Sequence, residues 1–322
     1  MWSYVVRRVL YNIPIYLVIV MVVMAMLRIN DPVSAYLSKN ATEAERALKE
    51  AEFGLDQPFL VQYFQMLKSI VTLDFSAKSW YQETNTVGQV IGPSILPSLK
   101  ITIPALLFST LIAIVVALIA AANRGRAIDR GLMFIAVVGM SVSFLVFIIL
   151  GQYFGAFWLT EKTGVDLFAV RYDADRLSGN FAADWVKYFL LPVMISVVVS
   201  MGYDTRFYRT VIVEQTNADY IRTAKAKGCS QARVMFIHLL RNAMIPIITR
   251  VMITMPFLIV GSLLLEVYFS IPGMGATLLT HMQNKDFAVT QTIVAILAAI
   301  FILSNILTDV LYAIVDPRVR LS

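Results

Sequence analysis

One cysteine, Cys229, occurs in 322 residues, so an intrachain disulfide is excluded. Charge is sparse as well. Asp, Glu, Lys and Arg make up 15% of the chain, against about 25% in an ordinary soluble domain. The dipeptide Gly-Lys appears nowhere, which removes the phosphate loop and, with it, ATP hydrolysis by that route. There is no His-Glu-x-x-His, Gly-x-Ser-x-Gly or Cys-x-x-Cys either, so no nucleophile–base pair or metal-spaced cluster points to a membrane-embedded enzyme. The two histidines, His238 and His281, fall on opposite predicted sides of the membrane and cannot share a metal within one chain. No aromatic-interleaved basic patch accompanies the net charge of +6. Nucleic acid is therefore not implied.

Apolar length is what the chain has. It is 58% hydrophobic with a mean hydropathy of +0.72, and stretches of about 20 apolar residues recur, each long enough to cross a bilayer as a helix. The prediction is all-α: a polytopic transmembrane helical bundle of six spans at 9–27, 100–122, 131–158, 188–202, 243–269 and 289–315. The first run is longer than a signal-peptide core and lacks a small-x-small cleavage site, so it is read as an uncleaved span. Arg7 and Arg8 precede it. Arg124, Arg126 and Arg130 crowd the loop 123–130, and Arg206 and Arg209 open a third basic segment. Excess basic charge marks cytoplasmic loops, which places both termini inside.

Polar stretches at 31–97 and 159–187 are then outside. Within the first, 41–53 reads as a charged surface helix and 54–80, rich in aromatics, as an interfacial segment. The third span carries Gly139, Ser141, Ser143, Gly151 and Gly155, small residues that let helices pack closely in lipid. Pro246 and Pro256 are expected to break or bend the fifth span. Its Arg250 and Glu266 are expected to reach a wet surface. Asp309, on the inner half of the sixth span, is read as a helix-end cap or partner contact.

In this greasy chain the segment from 214 to 249 carries Arg222, Lys225, Lys227, Arg233 and Arg241. It reads as two short helices meeting at Gly228. The first, about 217–227, ends with Lys225 and Lys227, which suit the negative pole of a helix. Gly228 occupies a left-handed C-cap position, and Ser230 caps the second helix. Arg222, Lys225 and Lys227 form either an ordinary solvated basic loop or a docking surface for a partner.

The string D-Y-I-R-T-A-K-A-K-G at 219–228 resembles the coupling region of ABC importer permeases of the dipeptide, oligopeptide and nickel family, in its B-type form. G-L-D-Q-P-x-x-x-Q-Y at 54–63, Ile271-Pro272-Gly273-Met274-Gly275 and the ending Asp316-Pro317-Arg318 are similar to further hallmarks of that family. Relatives usually read G-L-S-I-P-S-F where this chain has GMSVSF at 139–144, so the family's proline kink is not predicted here. The resemblance implies the type I permease fold of ABC importers, with a tail and first span at 1–30, an extracytoplasmic segment at 31–97 and a five-span permease core at 98–322. It implies that Asp219, Tyr220, Arg222, Thr223, Ala224, Lys225, Ala226, Lys227 and Gly228 couple the chain to an ATPase, with Tyr220, Ala224 and Gly228 setting how closely the helix seats. The implied partners are a second permease of different sequence, two ATPase subunits that bind ATP and Mg, and an extracytoplasmic substrate-binding protein. This chain itself would carry no cofactor and sit in a bacterial cytoplasmic (inner) membrane. Peptides are the implied cargo, with nickel, opines or another small solute as alternatives.

Glu266, Met140, Ser141 and Ser143 are substrate-path candidates, against the simpler reading of Glu266 as a paired interfacial carboxylate. Met133, Met194, Met252 and Met255 join Met140 either in lining a tolerant path or in plain packing. An ion-driven secondary carrier is the competing class. The scarcity of mid-depth carboxylates argues against it.

Overall fold

The computed structural model describes residues 2–29, 31–38 and 40–315, with side chains described outside 2–6, 255–261, 309–310 and 312–315. The expectations for Met255, Asp309 and the D-P-R ending fall outside the described residues or side chains. Among the described residues, six helices are long and apolar enough to cross a membrane, as the composition predicts. Among the described residues, the only pairing between extended segments is one isolated bridge from Lys78 to Thr86. The chain divides into two compact units, residues 1–98 with 272–306 and residues 99–271 with 307–322.

In the first unit, α1 (Trp2–Ile29) is followed by two short helices, α2 (Glu43–Glu52) and α3 (Phe59–Thr72). A capping box starts α2: the Thr42 hydroxyl accepts from the Glu45 N–H, and the Glu45 carboxylate accepts from the Thr42 N–H. The G-L-D-Q-P string is a stop followed by a start. Gly54, at φ +67°, ends α2, with the Leu55 N–H donating to the Glu50 carbonyl at 2.7 Å. Pro58 then precedes α3. Trp80 stacks on Phe53 with ring centroids 4.3 Å apart. The unit also holds residues 87–98 of α4 (Val87–Ala122). It is completed by α10 (Met274–Gln283) and by α11 (Phe287–Val315) as far as residue 306. Asp286, with no solvent exposure, caps α11 by accepting from the Val289 N–H, and it also accepts from the Tyr81 N–H and the Ser79 hydroxyl.

The second unit contains the rest of α4, then α5 (Ala127–Ser141), α6 (Phe144–Thr163), α7 (Phe181–Gln215), α8 (Asp219–Ala226) and the continuous helical stretch 231–268, here α9. Three expectations are corrected. The second span is a single helix of 36 residues that begins at Val87 and passes through Pro93, Pro97 and Pro104. The fourth extends from Phe181 to Gln215, well beyond 188–202. The fifth is helical through both prolines, a tolerance that membrane helices show because neighbours and hydroxyls satisfy freed backbone groups.

The third predicted span is two helices. Val142, at φ −89° and ψ 133°, is extended and separates α5 from α6, although no proline is present. The packing around the break is close. A Cβ on Gly202 of α7 would lie 2.8 Å from the Ala136 carbonyl oxygen, so α5 is held against α7 backbone to backbone. Hydroxyls take up carbonyls near its end: Ser141 donates to the Val137 oxygen at 2.8 Å, and Tyr203 to the Met140 oxygen at 3.4 Å. On α6, Gly151 and Gly155 admit Ile195 and Leu191 of α7, each closer than 3.0 Å to where a Cβ would sit. The same stretch, Gly151–Trp158, has π-helical turns, which widen the helix where α7 enters. Gly139, expected to pack, meets open space.

Candidate coupling surface

Helix α8 lies between two membrane-length helices, and its C-terminal end is fixed by a local turn. Lys227 is its C-cap, and Gly228 follows at φ +76°, where an L side chain would be strained. The Cys229 N–H donates to the Ala224 carbonyl at 3.2 Å, and the Gly228 N–H to that of Lys225 at 2.9 Å. That pair of bonds is the Schellman arrangement. Two residues on, the Ser230 hydroxyl accepts from the Arg233 N–H and starts α9. A Cβ on Gly228 would touch nothing within 4 Å. Gly228→Ala therefore isolates the cost of the backbone conformation, about 1 to 2 kcal/mol. It should lower the thermal midpoint of the purified chain slightly, without changing its expression.

The helix has two faces. Ile221 and Ala224 are buried in a cluster with Ala113 and Ala117 of α4, Tyr208 and Ile212 of α7, and Leu239 of α9. The helix is thus seated on three membrane helices at once. Asp219, Arg222, Thr223, Lys225, Ala226, Lys227 and Gly228 are exposed. The Arg222–Asp219 pair, at 3.5 Å, has side chains 75% and 96% exposed, so it contributes little to stability. Two of the predicted contact residues turn inward. Ala224 faces its own bundle, where its small size permits close seating on α4 and α7, and it is not available to a partner. Tyr220 is half-buried and donates to Gln215 at 2.8 Å; desolvation raises its phenol above the ordinary value. The signal for this was in the sequence: Ile221 and Ala224 are three apart and share one helix face.

Two ion pairs brace the surroundings, and the sequence reading missed both. Arg209 of α7 donates from Nε and a terminal nitrogen to the two oxygens of Asp129, both at 2.6 Å. This is the planar, two-point geometry that guanidinium favours. Arg250 of α9 donates to Asp204 of α7 at 3.1 Å and lies over the Phe207 ring. The partners are separated by 80 and 46 positions, so no local spacing announces them. The Arg209 hydrogen bonds hold the Asp129 carboxyl below the usual carboxylate range, against the opposing effect of burial. Because the folded value is lowered, the associated stability is complete above the ordinary aspartate value of about 4 and is lost as pH falls through the lowered one. Asp129→Asn should remove that acid-side component and cost about 2 kcal/mol at neutral pH, less than a fully buried pair because Arg209 keeps some solvent contact. Thermal midpoints of the two proteins between pH 3 and 7 would show the difference narrowing towards acid.

Glu266 corrects another expectation. It has no solvent exposure, and the Ser262 hydroxyl donates to its carboxylate at 2.9 Å, so it does not reach a wet surface. Ser262 borders a cavity of about 120 Å³ with Thr102, Phe144, Ser196 and Ser200. Met140, Ser141 and Ser143 are not among its lining residues. They lie at the α5–α6 break, Met140 half-buried and both serines exposed. The substrate-path candidates therefore fall into two places. Met194 is exposed, while Met133 and Met252 are half-buried.

Comparison with known proteins agrees with this architecture. Residues 109–321 match the family described as binding-protein-dependent transport system inner membrane component, and residues 1–87 match the N-terminal domain of such membrane components. The chain belongs to the binding-protein-dependent transport system inner membrane component family, the permeases of ABC importers. It is 32% identical over 322 residues to the glutathione transport system permease protein GsiC of Salmonella choleraesuis, with 99% of each chain covered. It is 29% identical to the dipeptide transport system permease protein DppB of Alkalihalophilus pseudofirmus, covering 99% of this chain and all of that one. It is 28% identical to the oligopeptide transport system permease protein AppB of Bacillus subtilis, with 99% and 100% covered. A solved inward-facing structure of the MetNI methionine ABC transporter superposes with a TM-score of 0.55 at 16% identity, covering 70% of this chain and 96% of that one. The fold is that of a type I ABC importer permease. Such a permease is an integral membrane protein that works with a partner permease, an ATPase and a binding protein.

Proposed function

We propose that this chain is one of two different permeases in an importer that carries peptides across a bacterial cytoplasmic membrane, with both termini in the cytoplasm. Two separate ATPase subunits bind ATP and Mg, and an extracytoplasmic protein delivers the cargo. No cofactor is held by this chain. The observation that carries the reading is the two-faced α8. One side is fixed to α4, α7 and α9, and the other presents Arg222, Lys225 and Lys227 without internal commitments. A displacement of that basic face must pass into three membrane helices. Transport requires only that cargo bind differently in the resulting states. The peptide-type names of the relatives support the choice of cargo.

Uptake of a labelled dipeptide into proteoliposomes containing the assembled transporter tests the mechanism. Uptake should follow internal ATP and persist when the proton gradient is collapsed; dependence on the gradient instead would favour a secondary carrier. Orientation has its own test. Cys229 is the sole cysteine and is partly exposed next to α8. A membrane-impermeant maleimide should label it in inverted vesicles and leave it unmodified in intact cells. The reverse pattern would overturn the orientation.

A further inference from the structure

A cavity in the first unit has no part in coupling. Its volume is about 650 Å³, within the range of sites that take small organic ligands. It is enclosed by the end of α1, by α3, by the loop between α3 and α4, and by the start of α11.

Helix α3 shows which way the cavity faces. Gln62, Gln65 and Ser69 line it, whereas Leu60, Phe64 and Val71 are 57%, 64% and 83% exposed on the opposite side. Tyr63 and Met66 are buried as well and Lys68 is exposed, but three large apolar side chains remain on the outer side. They suit a helix lying in the membrane surface. The adjoining outer side of α1 is apolar too, with Met26 62% exposed. The cavity, with a lining of mixed polar and apolar character, therefore lies beside exposed apolar surface that suits acyl chains. Its floor is apolar, formed by Met24, Met66 and Phe287.

The charges at its mouth are unevenly satisfied. Arg28 donates to Gln62 and lies over the Phe59 ring, and it meets no carboxylate among the described residues. Its guanidinium retains donors in the planar fork that fits a phosphate. Three carboxylates line the cavity, Glu52, Asp74 and Glu83, against the lining Lys78 and the neighbouring Lys49, which pairs with Glu52 and Glu83 at 2.9 and 3.3 Å. That leaves about one negative charge uncompensated. A ligand that completes both ends carries an anion for Arg28 and a cation for the two glutamates.

We propose that this cavity binds the head group of a zwitterionic phospholipid of the phosphatidylethanolamine class. The phosphate meets Arg28, the ammonium meets Glu52 and Glu83, and the acyl chains leave along the exposed apolar sides of α1 and α3. The site is separate from α8 and does not depend on the peptide reading.

Native mass spectrometry of the assembled transporter in detergent, with added phosphatidylethanolamine or phosphatidylglycerol, tests the assignment. The wild type should retain phosphatidylethanolamine at least tenfold more than phosphatidylglycerol. Arg28→Gln should lose that retention about tenfold, and Arg28→Lys only in part, because charge survives without the fork. Glu52→Gln with Glu83→Gln should reduce or reverse the preference while retaining lipid, an outcome that misfolding does not produce. Equal retention of the two lipids by the wild type, or unchanged retention by Arg28→Gln, overturns the proposal. Soluble phosphoethanolamine presents the same charges without chains. Binding of it as tight as that of the lipid, or displacement of the lipid by a dipeptide, would assign the cavity to a free solute.

Discussion

Reversing Arg222, Lys225 and Lys227 together to glutamate should abolish co-purification of the ATPase and stop transport, while the permease still inserts and folds. The three side chains are exposed, and among the described residues none anchors α8 to the bundle; Arg222 pairs with the equally exposed Asp219. A partner groove that accepts three cations would meet three anions. Like-charge juxtaposition costs several kcal/mol, or on the order of a hundredfold or more in affinity. Affinity capture followed by immunoblotting for the ATPase reads the result directly. Detergent-solubilised yield and thermal midpoint should match the wild type. Undiminished capture would remove α8 from the coupling role. Ala224→Leu gives the opposite signature: it drives α8 off α4 and α7, so stability falls first and ATPase capture only in consequence.

The second large effect belongs to Gly202. Gly202→Leu should reduce folded yield sharply and lower the thermal midpoint by roughly 10 °C, the equivalent of about 3 kcal/mol of overpacking. The reason is that the obstructing atom, 2.8 Å from the new Cβ, is the Ala136 carbonyl oxygen, backbone that cannot rotate away. Gly139→Leu, one turn further along the same helix, meets nothing within 4 Å in this chain and should leave the midpoint unchanged or raise it slightly, as leucine is the better helix former. Scanning fluorimetry of both variants beside the wild type decides the matter. Equal effects would mean that the α5–α7 approach is not as close as described.

These two glycines also show where the sequence was legible. Six apolar runs and the basic loops announced the spans, because hydrocarbon leaves the backbone few other choices. The turn at Gly228 was readable from its neighbours: lysines before it and a capping serine after it leave little but a left-handed residue between. The G-L-D-Q-P string likewise contained its own helix stop and start. What stayed hidden depends on three-dimensional neighbours. Nothing within GMSVSF marks a break at Val142, and the close approach of Gly202 to the same helix comes from far along the sequence. Gly139 and Gly202 look alike as letters and differ only in what lies opposite. The Asp129–Arg209 and Asp204–Arg250 pairs join residues too distant for any periodicity to link. Proline proved a poor guide in both directions, since α4 and α9 run through theirs and the break at Val142 has none.

The stretch 231–268 begins immediately after the Gly228–Ser230 turn and continues without interruption. At 1.5 Å per residue it is a rod of about 57 Å. A rod amplifies angle into distance: tilting it by about 5° sweeps the far end through roughly 5 Å, while the near end hardly moves. A small change in the orientation of α8 would thus be read as a larger displacement at the opposite end.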